Sequence, residues 1–276
     1  MLRQFRQVDV FTTGPGLGNP LAVVLDASGL TPAEMQRFAR WTNLSETTFV
    51  VPTEDAAADY AVRIFTPDSE LPFAGHPTLG TCHAWLEAGG RPRDPERIVQ
   101  LCAAGLIEIR RLRDGLAFGA PPLRRSGPVD ESDLAAIAAS LGIDRSDVLD
   151  AAWADNGPGW VALLLRDAEA VLAVRPGAVP LDVGLVGFYP SGAPEAIEVR
   201  ALYPQNGLTV EDPVTGSLNA SVAGWLLESG RIQAPYVASQ GGAIGRAGRV
   251  EVFQAEDGAV FVGGRSLTLV SGTVEL

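Results

Sequence analysis

A chain of 276 residues, 46% of them hydrophobic, can bury one large core or two cores of about half that length each. Its formal net charge of −12, with no long run of Lys or Arg, disfavours nucleic acid and anionic membrane surfaces as partners. No window approaches the ~18 apolar residues of a spanning helix and no signal peptide is recognisable, so a cytoplasmic location is expected. The two cysteines, Cys82 and Cys102, lack C-x-x-C spacing and indicate neither a disulfide framework nor a thiolate metal site.

Residues 3–11 and 21–25 read as strands, joined by the turn-rich run Thr12-Thr13-Gly14-Pro15-Gly16-Leu17-Gly18-Asn19-Pro20. The run holds G-x-G but no G-x-G-x-x-G leading into a helix, so a dinucleotide site is not indicated. Thr31-Pro32-Ala33-Glu34 is a capping box opening a helix with Met35, Phe38 and Trp41 on one face. Glu46 follows among polar neighbours, before an apolar strand over 49–51. Its pattern fits either a solvated loop carboxylate or a buried acid/base group. A strand over 60–65 feeds the stretch 65–86, where Pro77 suits the first position of a helix stopped by Gly89-Gly90. His76 then sits beside unpaired backbone N–H groups able to hold a carboxylate or oxyanion. Strands are predicted near 98–103, 106–112 and 115–118, a crossing between halves at 121–128, and a helix over 131–141. The run Asn156-Gly157-Pro158-Gly159, before another apolar strand, echoes Gly18-Asn19-Pro20. Strands near 184–189 and 196–203 follow, and the chain from Tyr236 is mostly strand and turn.

The stretch 201–227 repeats the device of 65–86. Asp212-Pro213-Val214-Thr215-Gly216-Ser217 matches His76-Pro77-Thr78-Leu79-Gly80-Thr81 at a constant offset of 136, from 76 to 212, close to half the chain. The helices after the two loops are apolar on nearly all sides and rich in small residues, so each must be buried all round. The pattern predicts an α+β protein of two pseudo-symmetric domains, each a curved, mainly antiparallel sheet or barrel wrapped around a central apolar helix. The domains are 1–120, with Glu46 and His76, and 121–276, with Asp212 and Ser217, the C-terminal strand being free to cross over to the first. The two helix N-termini are expected to emerge together at the junction.

Such helix starts suit proton abstraction beside a carboxylate or carbonyl, where fixed N–H donors meet the developing charge. His76 has a side chain whose ordinary pKa lies near neutrality. Helix capping or core packing would also account for His76, and aspartate is a preferred N-cap, which leaves Asp212 open. No histidine and carboxylate set has metal-ligand spacing.

The blocks VDVFTTGPGLGNPLAVV, NLSETTFVV, FTPDSELPFAGHPTLG, EDPVTGS and SQGGAIGRAGRV, in this order, resemble the PhzF family of phenazine-biosynthesis isomerases, within the diaminopimelate-epimerase-like fold. The resemblance implies a homodimer without cofactor or metal, with its active site in the cleft between the domains of a subunit. It implies that Glu46 shuttles a proton on a small carboxylate-bearing substrate, together with catalytic residues His76, Asp212 and Ser217 and with substrate-binding Gly75, Gly216 and Asn19. Apolar neighbours of Glu46 would help it both take and give a proton. Two-thiol racemases of this fold carry cysteines at the helix starts, which Cys82 and Cys102 do not occupy. A cysteine-independent racemase or epimerase of an amino-acid-like substrate, and a non-catalytic small-molecule-binding or interaction protein, are the alternatives.

Overall fold

The structure, a computed structural model, describes residues 1–276 and is a sheet-dominated mixture of strands and few helices. In chain order the elements are β1 (Leu2–Val10), β2 (Asn19–Val24), α1 (Pro32–Thr42), β3 (Glu46–Val51), β4 (Tyr60–Phe65), β5 (Glu70–Leu71), α2 (Gly75–Glu87), β6 (Arg97–Cys102), β7 (Gly105–Arg111) and β8 (Leu116–Gly119). There follow β9 (Arg125–Gly127), α3 (Glu131–Leu141), β10 (Asp150–Asp155), β11 (Val161–Leu164), α4 (Ala168–Ala173), β12 (Val183–Phe188), β13 (Ile197–Gln205), β14 (Leu208–Asp212), α5 (Gly216–Glu228), β15 (Tyr236–Gln240), β16 (Gly248–Gln254), β17 (Val260–Gly264) and β18 (Ser266–Glu275). These cluster into two compact units: Met1–Gly119 with Gly263–Leu276, and Ala120–Val262.

In the first unit β1 lies antiparallel to both β18 and β2, and β2 runs parallel to β3. Next, β3 is antiparallel to β4, which borders β5 antiparallel and β6 parallel; β6, β7 and β8 complete an antiparallel run. A parallel pair needs a crossover, and the two helices supply it: α1 between β2 and β3, α2 between β4 and β6. The predicted capping box is present, with Thr31 Oγ1 accepting from the Glu34 N–H. Met35 and Phe38 of α1 pack with Val24, Phe49 and Phe65. Trp41 departs from the expected face: it is 77% exposed at the helix's last turn, stacked on Phe38.

The second unit shows the same succession of pairings. There β10 is antiparallel to β9 and β11, β11 is parallel to β12, and β12 is antiparallel to β13. Strand β13 then borders β14 antiparallel and β15 parallel, and β15 is antiparallel to β16. Its core joins Leu134, Ile137 and Leu141 of α3 to Val161, Leu163, Val183 and Leu185 on the sheet.

Helices α2 and α5 are each 13 residues long and largely buried. Small residues let strands approach them. A Cβ at Gly80 of α2 would lie 2.6 Å from Leu21 Cδ2 and 2.8 Å from Val10 Cγ2. In the second unit the glycine is on the strand instead: a Cβ at Gly184 of β12 would lie 2.4 Å from Leu218 Cδ1 of α5.

The helix starts differ from the expected ones. Helix α2 begins at Gly75, so Pro77 is its third residue, still in the first turn where an N–H has no intrahelical partner. Helix α5 begins at Gly216 rather than near Pro213. Asp212 closes β14, opposite Ala201, and Thr215 is extended, with φ −110° and ψ 104°. Counted from the helix starts, Gly75 answers to Gly216 and His76 to Ser217, an offset of 141, while Asp212 lies before α5 at the end of β14. The Asp-Pro and His-Pro pairs aligned in sequence because proline suits both the first turn of a helix, as Pro77 does, and the stretch before it, as Pro213 does.

Candidate active site

Parallel pairing sets Leu21 beside Glu46, so Asn19 and Glu46, the first residues of β2 and β3, lie at the same end of neighbouring strands. The N-terminus of α2 reaches this end, fastened to β3 by Thr81 Oγ1 donating to Thr48 Oγ1 at 2.8 Å. Here His76 Nε2 lies 3.3 Å from Glu46 Oε2, with the two side chains 6% and 15% exposed. The Asn19 amide nitrogen lies 3.4 Å from His76 Nδ1. An amide N–H donated to Nδ1 keeps the imidazole proton on Nε2, on the side of the Glu46 carboxyl. The sequence reading puts His76 near neutrality. Burial instead pushes its pKa down from 6.5 to about 3, so the ring is neutral.

Behind this pair, Gln100 of β6 is fully buried. Its Oε1 accepts from the Tyr60 hydroxyl at 3.0 Å, and its Nε2 donates to Thr78 Oγ1 at 2.9 Å, in the first turn of α2. A glutamine does the same in the second unit. Gln240 Oε1 accepts from the Thr215 N–H and from Asn219 Nδ2 at 3.0 and 2.8 Å, while its Nε2 donates to the Asp212 carbonyl and to Thr215 Oγ1 at 3.1 and 2.9 Å. One buried side chain thus ties the end of β14 to the start of α5. The Thr215 hydroxyl in turn donates to Asp212 Oδ2, which orients that carboxylate.

Gly216 and Ser217 are the first two residues of α5. Ser217 is held from the loop before β11: Asn156 Nδ2 donates to its carbonyl at 3.0 Å and Trp160 Nε1 to its hydroxyl oxygen at 3.1 Å. Asn156 thus serves α5 as Asn19 serves α2, a parallel visible in sequence as the echo of the two Asn-Gly-Pro-rich loops. Gln100, Gln240 and Trp160 were not legible there, because a single Gln or Trp in an apolar strand gives no pattern. No three His, Cys, Asp or Glu side chains are grouped to hold a metal ion. Cys82 is fully buried and its pKa is pushed up to about 12, so it is not a thiolate.

Residues 8–272 match the PhzC-PhzF family, described as phenazine biosynthesis-like protein. The chain belongs to this family. It is 35% identical to the trans-2,3-dihydro-3-hydroxyanthranilate isomerase of Pseudomonas fluorescens, across 98% of both chains. It is also 35% identical to antisense-enhancing sequence 1 of Schizosaccharomyces pombe, across 97% of both. Among solved structures, a predicted epimerase from Pseudomonas aeruginosa superposes with a TM-score of 0.82 at 29% identity, across 99% of both chains. The protein is a PhzF-like isomerase of the diaminopimelate-epimerase-like fold. In this PhzF-family chain all seven residues anticipated from sequence lie at two helix starts: Asn19, Glu46, Gly75 and His76 around α2, and Asp212, Gly216 and Ser217 around α5.

Proposed function

We propose that this PhzF-family isomerase moves a proton between carbon atoms of a small carboxylate-bearing molecule, without a cofactor, using Glu46 as the shuttling acid/base. The observation that carries the reading is the buried contact of Glu46 with a neutral His76. A neutral imidazole can orient the carboxyl without holding it in its ionised form, as an imidazolium would, and so leaves it able to take and return a proton. Glu46 takes the proton from an acidic C–H, the electron pair moves into an enol or enolate, and the same carboxyl delivers the proton at a second carbon. His76 and Asp212 orient the substrate or relay, Asn19 helps to bind it, and the amides at Gly75 and Gly216 meet the carboxylate or developing oxyanion.

In this reading the two units are pseudo-symmetric domains, each sheet wrapping its central helix, and both helix starts serve one substrate. The recurring order of strand pairings and the equal helix lengths support the likeness of the two units. The relatives' name makes trans-2,3-dihydro-3-hydroxyanthranilate the first substrate to try. We further propose a cytoplasmic homodimer, which light scattering on a sizing column tests.

The deciding experiment incubates enzyme and substrate in deuterium oxide and follows exchange at carbon by NMR. Positioned acid/base groups contribute about 10²- to 10⁴-fold, so Glu46→Gln should lower turnover by at least ~10²-fold while ligand affinity stays nearly unchanged. Exchange undiminished in that variant rules out the role. The likeness to a predicted epimerase favours one second reading, a cysteine-independent racemase or epimerase. Exchange at the α-carbon of amino acids, with none on the cyclic acid, would establish it instead.

A further inference from the structure

Strand β14 ends in two carboxylates, Glu211 and Asp212, and consecutive residues of a strand point to opposite faces. Asp212 turns toward the start of α5, where it meets the Thr215 hydroxyl. Glu211 turns the other way, onto a buried arginine. Arg200 of β13 and Glu211 are diagonal neighbours across a ladder in which Ala201 pairs with Asp212 and Leu202 with Glu211. Arg200 Nε and Nη2 donate to Glu211 Oε1 and Oε2 at 3.1 and 2.7 Å, and the two side chains are 3% and 9% exposed. Arg200 Nη1 donates to the carbonyls of Val171 and Val174 at the end of α4, at 3.0 and 2.8 Å. The guanidinium thus joins β14 to both β13 and α4.

Stability does not account for this pair. A buried ion pair loses in desolvation about what it gains in attraction, and apolar side chains of similar volume commonly replace one with little loss. Register does not require it either, since the turn at Asn206-Gly207, with φ of 53° and 77°, already sets which residues of the hairpin pair. What the turn leaves loose is the far end of the arm. Strand β14 has five residues, and a two-stranded arm of that length is marginal by itself. Near the turn, Thr209 is tied to Gly177 and Val179. At the far end the Arg200 guanidinium grips the arm one residue before Asp212.

We infer that Arg200 and Glu211 are a positioning pair for the reaction: their buried contact holds the end of β14 so that, of two adjacent carboxylates, Asp212 is the one presented at the start of α5. The inference rests on the proposed function for what Asp212 does and on the second unit alone for its geometry. Glu211, to which the proton transfer itself gives no task, thereby has one.

The test replaces both partners at once, because removing one would strand a buried charge. The carbonyls released keep other donors, the Val174 N–H for Val171 and Arg175 Nη1 for Val174. Arg200→Met/Glu211→Leu should therefore keep a urea midpoint close to that of the wild type. Its Thr215 amide, which donates to Gln240 Oε1, should nevertheless exchange with deuterium at least about 10-fold faster, while β11 and β12 exchange as before. Unchanged exchange at Thr215, or faster exchange throughout the unit with a lowered midpoint, overturns the inference. Misplacing a group by about 1 Å can cost about 10²-fold in rate, so kcat for trans-2,3-dihydro-3-hydroxyanthranilate should fall roughly 10- to 100-fold with KM little changed. On the residual turnover of Asp212→Ala the double replacement should have almost no further effect. Equal losses in both backgrounds would mean that the pair does not act through Asp212, and the inference would fall. Should the double variant not fold, Glu211→Gln, which keeps the shape and one acceptor, should show the faster Thr215 exchange and the lower kcat in smaller measure. Wild-type values of both in that variant would overturn the inference. If the compound is not turned over, the substrate assignment fails, and exchange at Thr215 alone decides the inference.

Discussion

His76 is 5% exposed and stays neutral in the folded protein down to about pH 3. In the unfolded chain a histidine takes up its proton near pH 6.5. The folded pKa is the lower one, so the unfolded state binds the extra proton between these values. Stability from this residue is therefore complete above pH 6.5 and is lost as pH falls toward 3, at up to about 1.4 kcal/mol per pH unit. The urea midpoint of the wild type should fall between pH 7.5 and 5, and His76→Asn should flatten that slope. Parallel slopes would show that His76 is not the group responsible. That Asn19, Glu46 and His76 lie together was anticipated in sequence, His76 as a polar group beside a predicted helix start, Glu46 from its polar neighbours and Asn19 through the family resemblance. The state of His76 was not, since a pKa depends on burial that only the packing of α2 on its sheet creates.

The two long helices owe their place to what they lack. In α2, Gly80 faces Val10 and Leu21, and a methyl group there would press within 2.8 Å of both side chains. Alanine is favoured over glycine within a helix by about 1 kcal/mol, whereas overpacking a core costs roughly 1–3 kcal/mol. Gly80→Ala should thus lower stability by about 1 kcal/mol, read as a drop in the urea midpoint at constant m-value. A rise in the midpoint would mean that the strands give way freely. That both helices are largely buried could be read from their lack of a polar face, and α1 from its capping box. The start of α5 could not, because Gln240, about 25 residues downstream, holds the Thr215 amide and keeps that residue extended. A contact so distant in the chain leaves no local signature, and Pro213 pointed to the wrong residue. Strands β10 and β14 and helix α4 escaped notice for a related reason: each is short and draws its definition from neighbours rather than from its own periodicity.

At the scale of the molecule, two helix-starting loops and two apolar helices were visible in sequence, while the offset between the helix starts emerged only from the structure. The pairings also decide which residues complete each unit. The second unit is one continuous stretch, Ala120–Val262, whereas the first includes Gly263–Leu276, whose strand β18 lies along β1 from the Leu2–Glu275 pair to the Val10–Ser266 pair. This has a consequence for the order of events during synthesis. Domains generally fold as they leave the ribosome, the N-terminal one first; here the order should reverse, because β1 waits for a partner translated after the whole of the second unit. A nascent chain stalled with Val262 just clear of the ribosome should protect residues 120–262 from protease while 1–119 is still cut. Extending it to Leu276 should protect both segments, and early protection of 1–119 would show that β1 does not need β18. Through that wait the exposed edge of β1 is a template for strands of other chains. Faster translation of the second unit should therefore shorten the wait and raise the yield of soluble protein.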